Sequence, residues 1–278
     1  MNHALRLACV LSLTAFAGCG GGGGGGGGEK ASKSAAPSAE TPAPPAGGTT
    51  TGGTPGAAGG AHVTLTGKVN LAGTAPQATP IKMAADPVCV QKHANMPAVS
   101  QEIVANAAGM LQYVFVYVKS GLEGQTFETP TTPITLDQNG CMYSPHVFGV
   151  MVGQELKILN SDPTLHNIHA LPKVEGNKEF NLGMPRQGMT FSKQFDKPEI
   201  MVHVKCDVHP WMSAYIGVLD HPYFAVTDAN GSFSIPDLPP GTYTVEAWHE
   251  KFGAQTQSVT VGPAPTAEVN FTFQATGS

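Results

Sequence analysis

Charge is scarce in this chain of 278 residues: Asp, Glu, Lys and Arg together make up 13% of it. Aromatic residues are few as well, at 7%, with Trp211 and Trp248 the two tryptophans. The apolar run Leu7 to Ala17 is too short to cross a bilayer, which takes about 20 apolar residues, and no other run is longer. Long stretches with helical periodicity are missing, which excludes a helical bundle. No Gly-x-Ser-x-Gly turn and no His-Glu-x-x-His helix occurs, so the common hydrolase constellations are excluded. Basic residues are in no surplus either. Setting aside Arg6, Lys30, Lys33, Glu29 and Glu40 leaves 12 basic against 18 acidic residues, a net charge of −6, in the remainder. That balance argues against nucleic acid as a partner.

What the chain does contain is glycine and proline, 34 and 23 of them, recurring between short alternating runs. This is the pattern of an all-β protein. His62 to Leu71, Gly109 to Val118, Gln154 to Leu159 and Glu199 to Lys205 read as strands. Ala225 to Ile235 reads as a hairpin turning at Asn230-Gly231. The foldable part begins near Ala61. It is long enough for two packed sandwiches rather than one.

The first 19 residues read as a targeting segment: Arg6, the apolar run, then Ala17-Gly18-Cys19. Small residues before a cysteine resemble a bacterial lipobox, with Cys19 as the lipidated first residue of the mature chain. Phe16 departs from the usual leucine, which leaves an ordinary secretory signal as the alternative. Residues 20–60 are an unbroken glycine run followed by Ala, Pro, Thr, Ser and Gly. Nothing there offsets the entropy of ordering, so a disordered tether reaching about 35 Å is expected. Export to the bacterial cell envelope, as a periplasmic or surface-exposed lipoprotein held to the membrane by a lipid anchor, follows from these two segments.

Cys206-Asp207-Val208-His209-Pro210-Trp211-Met212 carries the chemistry. Alternation along the preceding strand puts Val202, Val204 and Cys206 on one face, so the thiol ends the strand pointing inward. A thiolate, an imidazole and a thioether spaced C-x2-H-x2-M suit copper, where hard cations would take oxygen. A second imidazole is available upstream in His166-Asn167-Ile168-His169. The ligand order (strand, His-Asn, some forty residues, Cys-His-Met loop) resembles the cupredoxins, the blue copper proteins of the amicyanin and plastocyanin type. The short loop with proline after its histidine is most similar to amicyanin. The resemblance implies a Greek-key sandwich, one type 1 copper ion, and His166, Cys206, His209 and Met212 as ligands. It also implies that Asn167 ties the histidine loop to the cysteine loop near Asp207. Asp207 and Val208 depart from the usual loop residues without removing a ligand. Zinc, or a structural cysteine amid surface histidines, is the bland alternative. A His2Cys set with a weak Met favours copper.

Downstream, Thr227-Asp228, Gly231-x-Phe233-x-Ile235 and Leu238-Pro239-Pro240-Gly241-x-Tyr243 resemble the carboxypeptidase regulatory-like domain, a transthyretin-type sandwich without catalytic residues. Gly67-Lys68-Val69 matches that family's opening. The expected organisation is therefore residues 61–133 plus 221–278 as one discontinuous sandwich, with the copper domain, 134–220, inserted in it. Cys9 leaves with the leader, and Cys89 and Cys141 remain as an even pair in an exported chain. A disulfide is expected there, against the alternative of two buried thiols. His169 faces away from His166 on a strand and reads as structural. His146, His221 and His249 would make a second metal site only if the fold gathered them. Met184 and Met189 border the copper pocket by resemblance and pack by default.

These features point to a one-electron carrier with transient redox donor and acceptor proteins, not an enzyme. The exposed edge of His209, near Trp211 and Met184, is the expected electron port. The competing readings are a surface-attached structural or ligand-binding module with a structural metal, and a copper capture or delivery protein.

Overall fold

The computed structural model describes residues 62–275. Cys9, the lipidation candidate Cys19 and the tether lie outside the described residues. The elements in chain order are β1 (Val63–Ala72), α1 (Pro87–Lys92), β2 (Phe115–Ser120), β3 (Ile134–Asn139), β4 (Met142–Ser144), β5 (Val147–Met151), β6 (Leu156–Asn160), β7 (His166–Leu171), β8 (Phe180–Met184) and β9 (Thr190–Lys193). Then come β10 (Glu199–Lys205), β11 (Ser213–Leu219), β12 (Phe224–Val226), β13 (Ser232–Leu238), β14 (Gly241–His249), β15 (Gly253–Val261), β16 (Thr266–Glu268) and β17 (Phe271–Gln274). The described chain is all-β apart from the short α1. In β1, Val63, Leu65, Val69 and Leu71 are buried, alternating with partly or fully exposed neighbours. That is the period-2 pattern of a strand covered on one face.

Four sheets enclose two main cores. In the first sandwich, β1 lies between β13 and β16, and β17 continues the parallel pairing along its far half. The sheet β12-β2-β14-β15 closes the other side. Its buried residues run from Val63 to Val118 and again from Tyr223 to Phe273. The second sandwich sets β5-β11-β10-β7-β8 against β4-β3-β6-β9. All its buried residues, Leu136 to Val218, fall between those two stretches.

The expected hairpin at Asn230-Gly231 is not formed. The tight turn is present, with Asp228 Oδ1 accepting from the amides of Asn230 and Ser232. Its two flanks nevertheless diverge, β12 pairing with β2 and β13 with β1. The turn is an arch that carries the chain from one sheet to the other, because each flank finds a better apolar partner across the core than across the turn.

The sandwiches interlock through two glycines. Gly217 of β11 sits opposite Gly149 of β5 in the ladder, leaving a side-chain-free notch on that sheet. Into it go Phe115 and Phe224, stacked on each other with ring centroids 5.6 Å apart. A Cβ at position 149 would lie 2.3 Å from the Phe224 ring, and one at 217 would lie 2.4 Å from Phe115. Both glycines have ordinary strand backbone, so alanine itself is tolerated there and only the rings object. Gly149→Ala or Gly217→Ala is expected to destabilise by about 1–3 kcal/mol through overpacking, read as a lower midpoint of denaturant unfolding.

His249 ends β14 with 1% exposure, its ring stacked on Phe252. Burial, helped by the nearby His146, pushes its pKa down to about 4. An unfolded histidine takes its proton near 6.5, so between those values the unfolded chain binds more protons. The His249 contribution is intact above the unfolded value and is lost as pH falls, at no more than about 1.4 kcal/mol per pH unit. His249→Phe is expected to lose less thermal stability than the wild type between pH 7 and pH 4.5. Equal losses would contradict this.

Candidate metal centre

The thiol and both imidazoles come from the second sandwich. Strand β10 delivers Cys206 at its end, with Val202, Val204 and Cys206 buried and His203 and Lys205 half-buried on the other face. The loop then folds back through its own backbone. The His209 amide donates to Cys206 Sγ at 3.3 Å, the Met212 amide to the His209 carbonyl at 2.9 Å, and the Cys206 amide to the Met212 carbonyl at 3.2 Å. His166 opens β7, paired in register with Met184 of β8. Ligand atoms of His166, Cys206 and His209 all lie within 4.8 Å of one another, and all three residues are buried. Met212 is fully buried in the same core as Cys206.

The ring orientations follow from what each outer nitrogen touches. His166 Nε2 lies 3.0 Å from Asp162 Oδ2, and His209 Nε2 lies 3.1 Å from Asp86 Oδ2. A carboxylate only accepts, so both Nε2 atoms carry the hydrogen and donate. In the neutral rings each Nδ1 is thereby left with a lone pair, and the two Nδ1 atoms face one another at 2.9 Å. Cys206 Sγ lies 4.0 Å from His209 Nδ1.

Asp162 is wholly buried, and its four bonds go to donors. Oδ1 accepts from the Gly140 amide and Lys92 Nζ, Oδ2 from the Cys141 amide and His166. Burial opposes ionisation, but these donors, His166 first, hold its carboxyl well below the usual carboxylate range. Burial lowers the His166 pKa, yet Asp162 and the neighbouring Cys206 lift it to about 8. Burial likewise raises the Cys206 thiol, and bonding with His166 and with the Asn167 and His209 groups brings it below its ordinary value. Burial depresses His209, with Asp86 only partly offsetting this.

Two inward Nδ1 atoms at hydrogen-bond distance need a positive charge between them, which either a proton on His166, whose pKa is raised, or a metal cation supplies. Beside them is a thiol already biased toward thiolate. These residues fit a soft or borderline cation bound by two imidazoles and one thiolate.

Asn167 and Asp207 make the expected tie. Asn167 Oδ1 accepts from the Asp207 amide at 2.7 Å and from Cys206 Sγ at 3.2 Å, while its Nδ2 donates to Asp207 Oδ2 at 3.3 Å. His169 also bonds that Asp207 carboxylate, 3.0 Å away, and turns from the site. Cys89 and Cys141 are joined in a disulfide. His146 bonds Ser213 and Glu250, His221 accepts from the Tyr223 amide, and His249 accepts from the Lys251 amide. Among the described residues none of these three belongs to a metal-binding group. The Met184 sulfur accepts from Gln138, and Met189 is half-buried.

The exposed edge expected of His209 is corrected by the structure. The residue is only 2% exposed, and its outer nitrogen is covered by Asp86 and by Cys89 Sγ at 3.7 Å. The cover comes from the excursion between β1 and β2. Asp86 caps α1, accepting from the Val88 amide at 2.8 Å, and also accepts from Thr164 Oγ1 at 2.8 Å. Sequence reasoning missed both Asp86 and Asp162. Asp86-Pro87 is a readable helix-start signal, and Asp162 stands four residues before His166. Neither says which ring it will meet.

Residues 210–274 match the model of the carboxypeptidase regulatory-like domain. The match begins at Pro210 inside the loop between β10 and β11 and takes in β11 of the second sandwich. No curated protein matches the chain. Among solved structures, the chain is similar to a copper-containing nitrite reductase from Thermus scotoductus SA-01, at 24% identity and a TM-score of 0.30, over 38% of this chain and 25% of that one. It is similar to an amicyanin variant in the reduced state at 22% identity and TM-score 0.29, over 37% of this chain and 97% of that one. A purple cupredoxin from Nitrosopumilus maritimus gives 25% identity and TM-score 0.26, over 31% of this chain and 98% of that one.

Proposed function

We propose that this chain is a one-electron carrier that binds a single copper ion through His166, Cys206, His209 and Met212. One observation supports this above the rest: two buried imidazole Nδ1 atoms 2.9 Å apart beside a buried thiol. Copper supplies the electron step by alternating between two oxidation states that such a donor set accepts. The protein's own part is to hold the donors still. Cys206 offers a thiol with a depressed pKa, the loop is pinned by its backbone bonds, and Asn167 fastens it to β7. The surrounding core keeps water away. Little has to move when an electron arrives, which is what a carrier requires.

In the same reading, residues 61–133 with 221–278 form a carboxypeptidase regulatory-like sandwich bearing the inserted copper domain, 134–220. Cys19 carries a lipid, and the tether holds the domain at the cell envelope, periplasmic or surface-exposed. Donor and acceptor are transient redox proteins docking over a small interface. The chain is not an enzyme in this account. The closed outer edge of His209 favours retention of the ion over its delivery.

Adding one equivalent of Cu(II) to the metal-free chain is expected to give intense thiolate-to-copper absorption in the visible. The band should bleach with ascorbate and return on reoxidation. Cys206→Ser should abolish the band and leave the far-ultraviolet β signal intact. A colourless complex with preferred zinc would establish the structural-metal reading instead. Rapid loss of copper to a chelator would establish delivery.

A further inference from the structure

We infer that Asp86 is a positioning residue of the metal centre: reaching in from the excursion between β1 and β2, it fixes His209 in the tautomer that turns Nδ1 toward the ion. This rests on the copper reading above and goes beyond it, because Asp86 lies outside 134–220 and outside the ligand loop.

The geometry supplies the argument. Two imidazoles face each other, and each has its outer nitrogen on a carboxylate at about the same distance, 3.0 Å for Asp162 and 3.1 Å for Asp86. Asp162 is local, four residues before its histidine. Asp86 is held at the same spacing by a set of distant fastenings. Its Oδ1 is used as the cap of α1, and its Oδ2 is shared between Thr164 and His209. Immediately behind it, Cys89 is bonded to Cys141, Lys92 pairs with Asp162, and His93 Nε2 lies 2.7 Å from the Gly140 carbonyl. The disulfide and two polar ties therefore pin a six-residue helix whose cap points one carboxylate oxygen at the ring. Trp211, packed on the His209 ring at 5.0 Å, donates to the Cys141 carbonyl and closes the flank.

A carboxylate at Nε2 does two things for a bound ion. It forces the hydrogen onto the outer nitrogen, and it makes the inner one more basic. A negative charge near the site also favours the more highly charged metal state. The same oxygen displaces the solvent that would otherwise reach His209.

Asp86→Asn is a clean perturbation. Asparagine caps helices as well as aspartate does, and its oxygen can keep the Val88 bond. The group facing His209 then becomes an NH2 donor. His209 must respond by moving its hydrogen to Nδ1, where the ion should sit. In metal-free wild-type protein, 15N spectra are expected to show His209 as the Nε2–H tautomer. In Asp86→Asn a substantial Nδ1–H population should appear. Cu(II) affinity measured by competition should fall about 10–100-fold, and the reduction potential should rise. Asp86→Glu, if it still reaches the ring, should restore the tautomer. A Cys89→Ser/Cys141→Ser double variant, which frees the helix, should shift the tautomer and potential in the same direction as Asp86→Asn.

An unchanged His209 tautomer in Asp86→Asn overturns the inference, as do unchanged affinity and potential. Loss of stability alone, with those readouts at wild-type values, also overturns it. A wild-type protein that takes up no copper but shows the tautomer switch would defeat the electron-carrier reading while leaving Asp86 as the residue that orients His209.

Discussion

Two imidazole Nδ1 atoms 2.9 Å apart in a buried pocket are the constraint on which the site is built. Such an arrangement needs a proton or a cation between the rings, and the far side of each ring is fastened to a carboxylate. The carboxylates are costly in turn, since one of them, Asp162, is wholly buried. Its four donors include a lysine, two backbone amides and the ring itself. A buried charge that is paired and fully hydrogen-bonded is tolerable; an unpaired one is not. The order at the thiol therefore depends on bonds made some distance from it.

Those bonds join parts of the chain that sequence keeps apart. Asp86, Cys89 and Lys92 belong to the excursion between β1 and β2, while Cys141 and Asp162 belong to the second sandwich. The Phe115 and Phe224 rings seated over Gly217 and Gly149 hold the same two sandwiches together on another face. Each half limits the freedom of the other. One consequence is that the Cys206–Met212 loop meets solvent through Asp207, Val208 and Pro210, with Val208 at 43% exposure, and not through the edge of His209.

The readable parts of the site were local ones. Period-2 alternation located β10 and the inward thiol, and C-x2-H-x2-M placed an imidazole and a thioether within one turn of it. His166 came from resemblance, since nothing in its neighbourhood demands a partner forty residues on. Asn167 and Asp207 were legible for the same reason. The misreadings share a cause. Asn230-Gly231 does turn the chain, but whether its flanks pair is decided by sheets that lie far away in sequence. His209 lies in a short connecting loop, and such loops are usually exposed. Here a helix from elsewhere lies over it.

From its residues alone, the chain determined an all-β architecture, a strand ending in a cysteine, and a donor set biased toward soft metals, because alternation and loop spacing act over a few bonds. Only tertiary structure decided that Asp162 and Asp86 would hold the two rings, that the disulfide would brace the helix over one of them, and that the expected electron port would be shut. Those outcomes depend on hydrogen bonds of about 3 Å between groups up to 123 residues apart, and no local pattern encodes a distance across the fold.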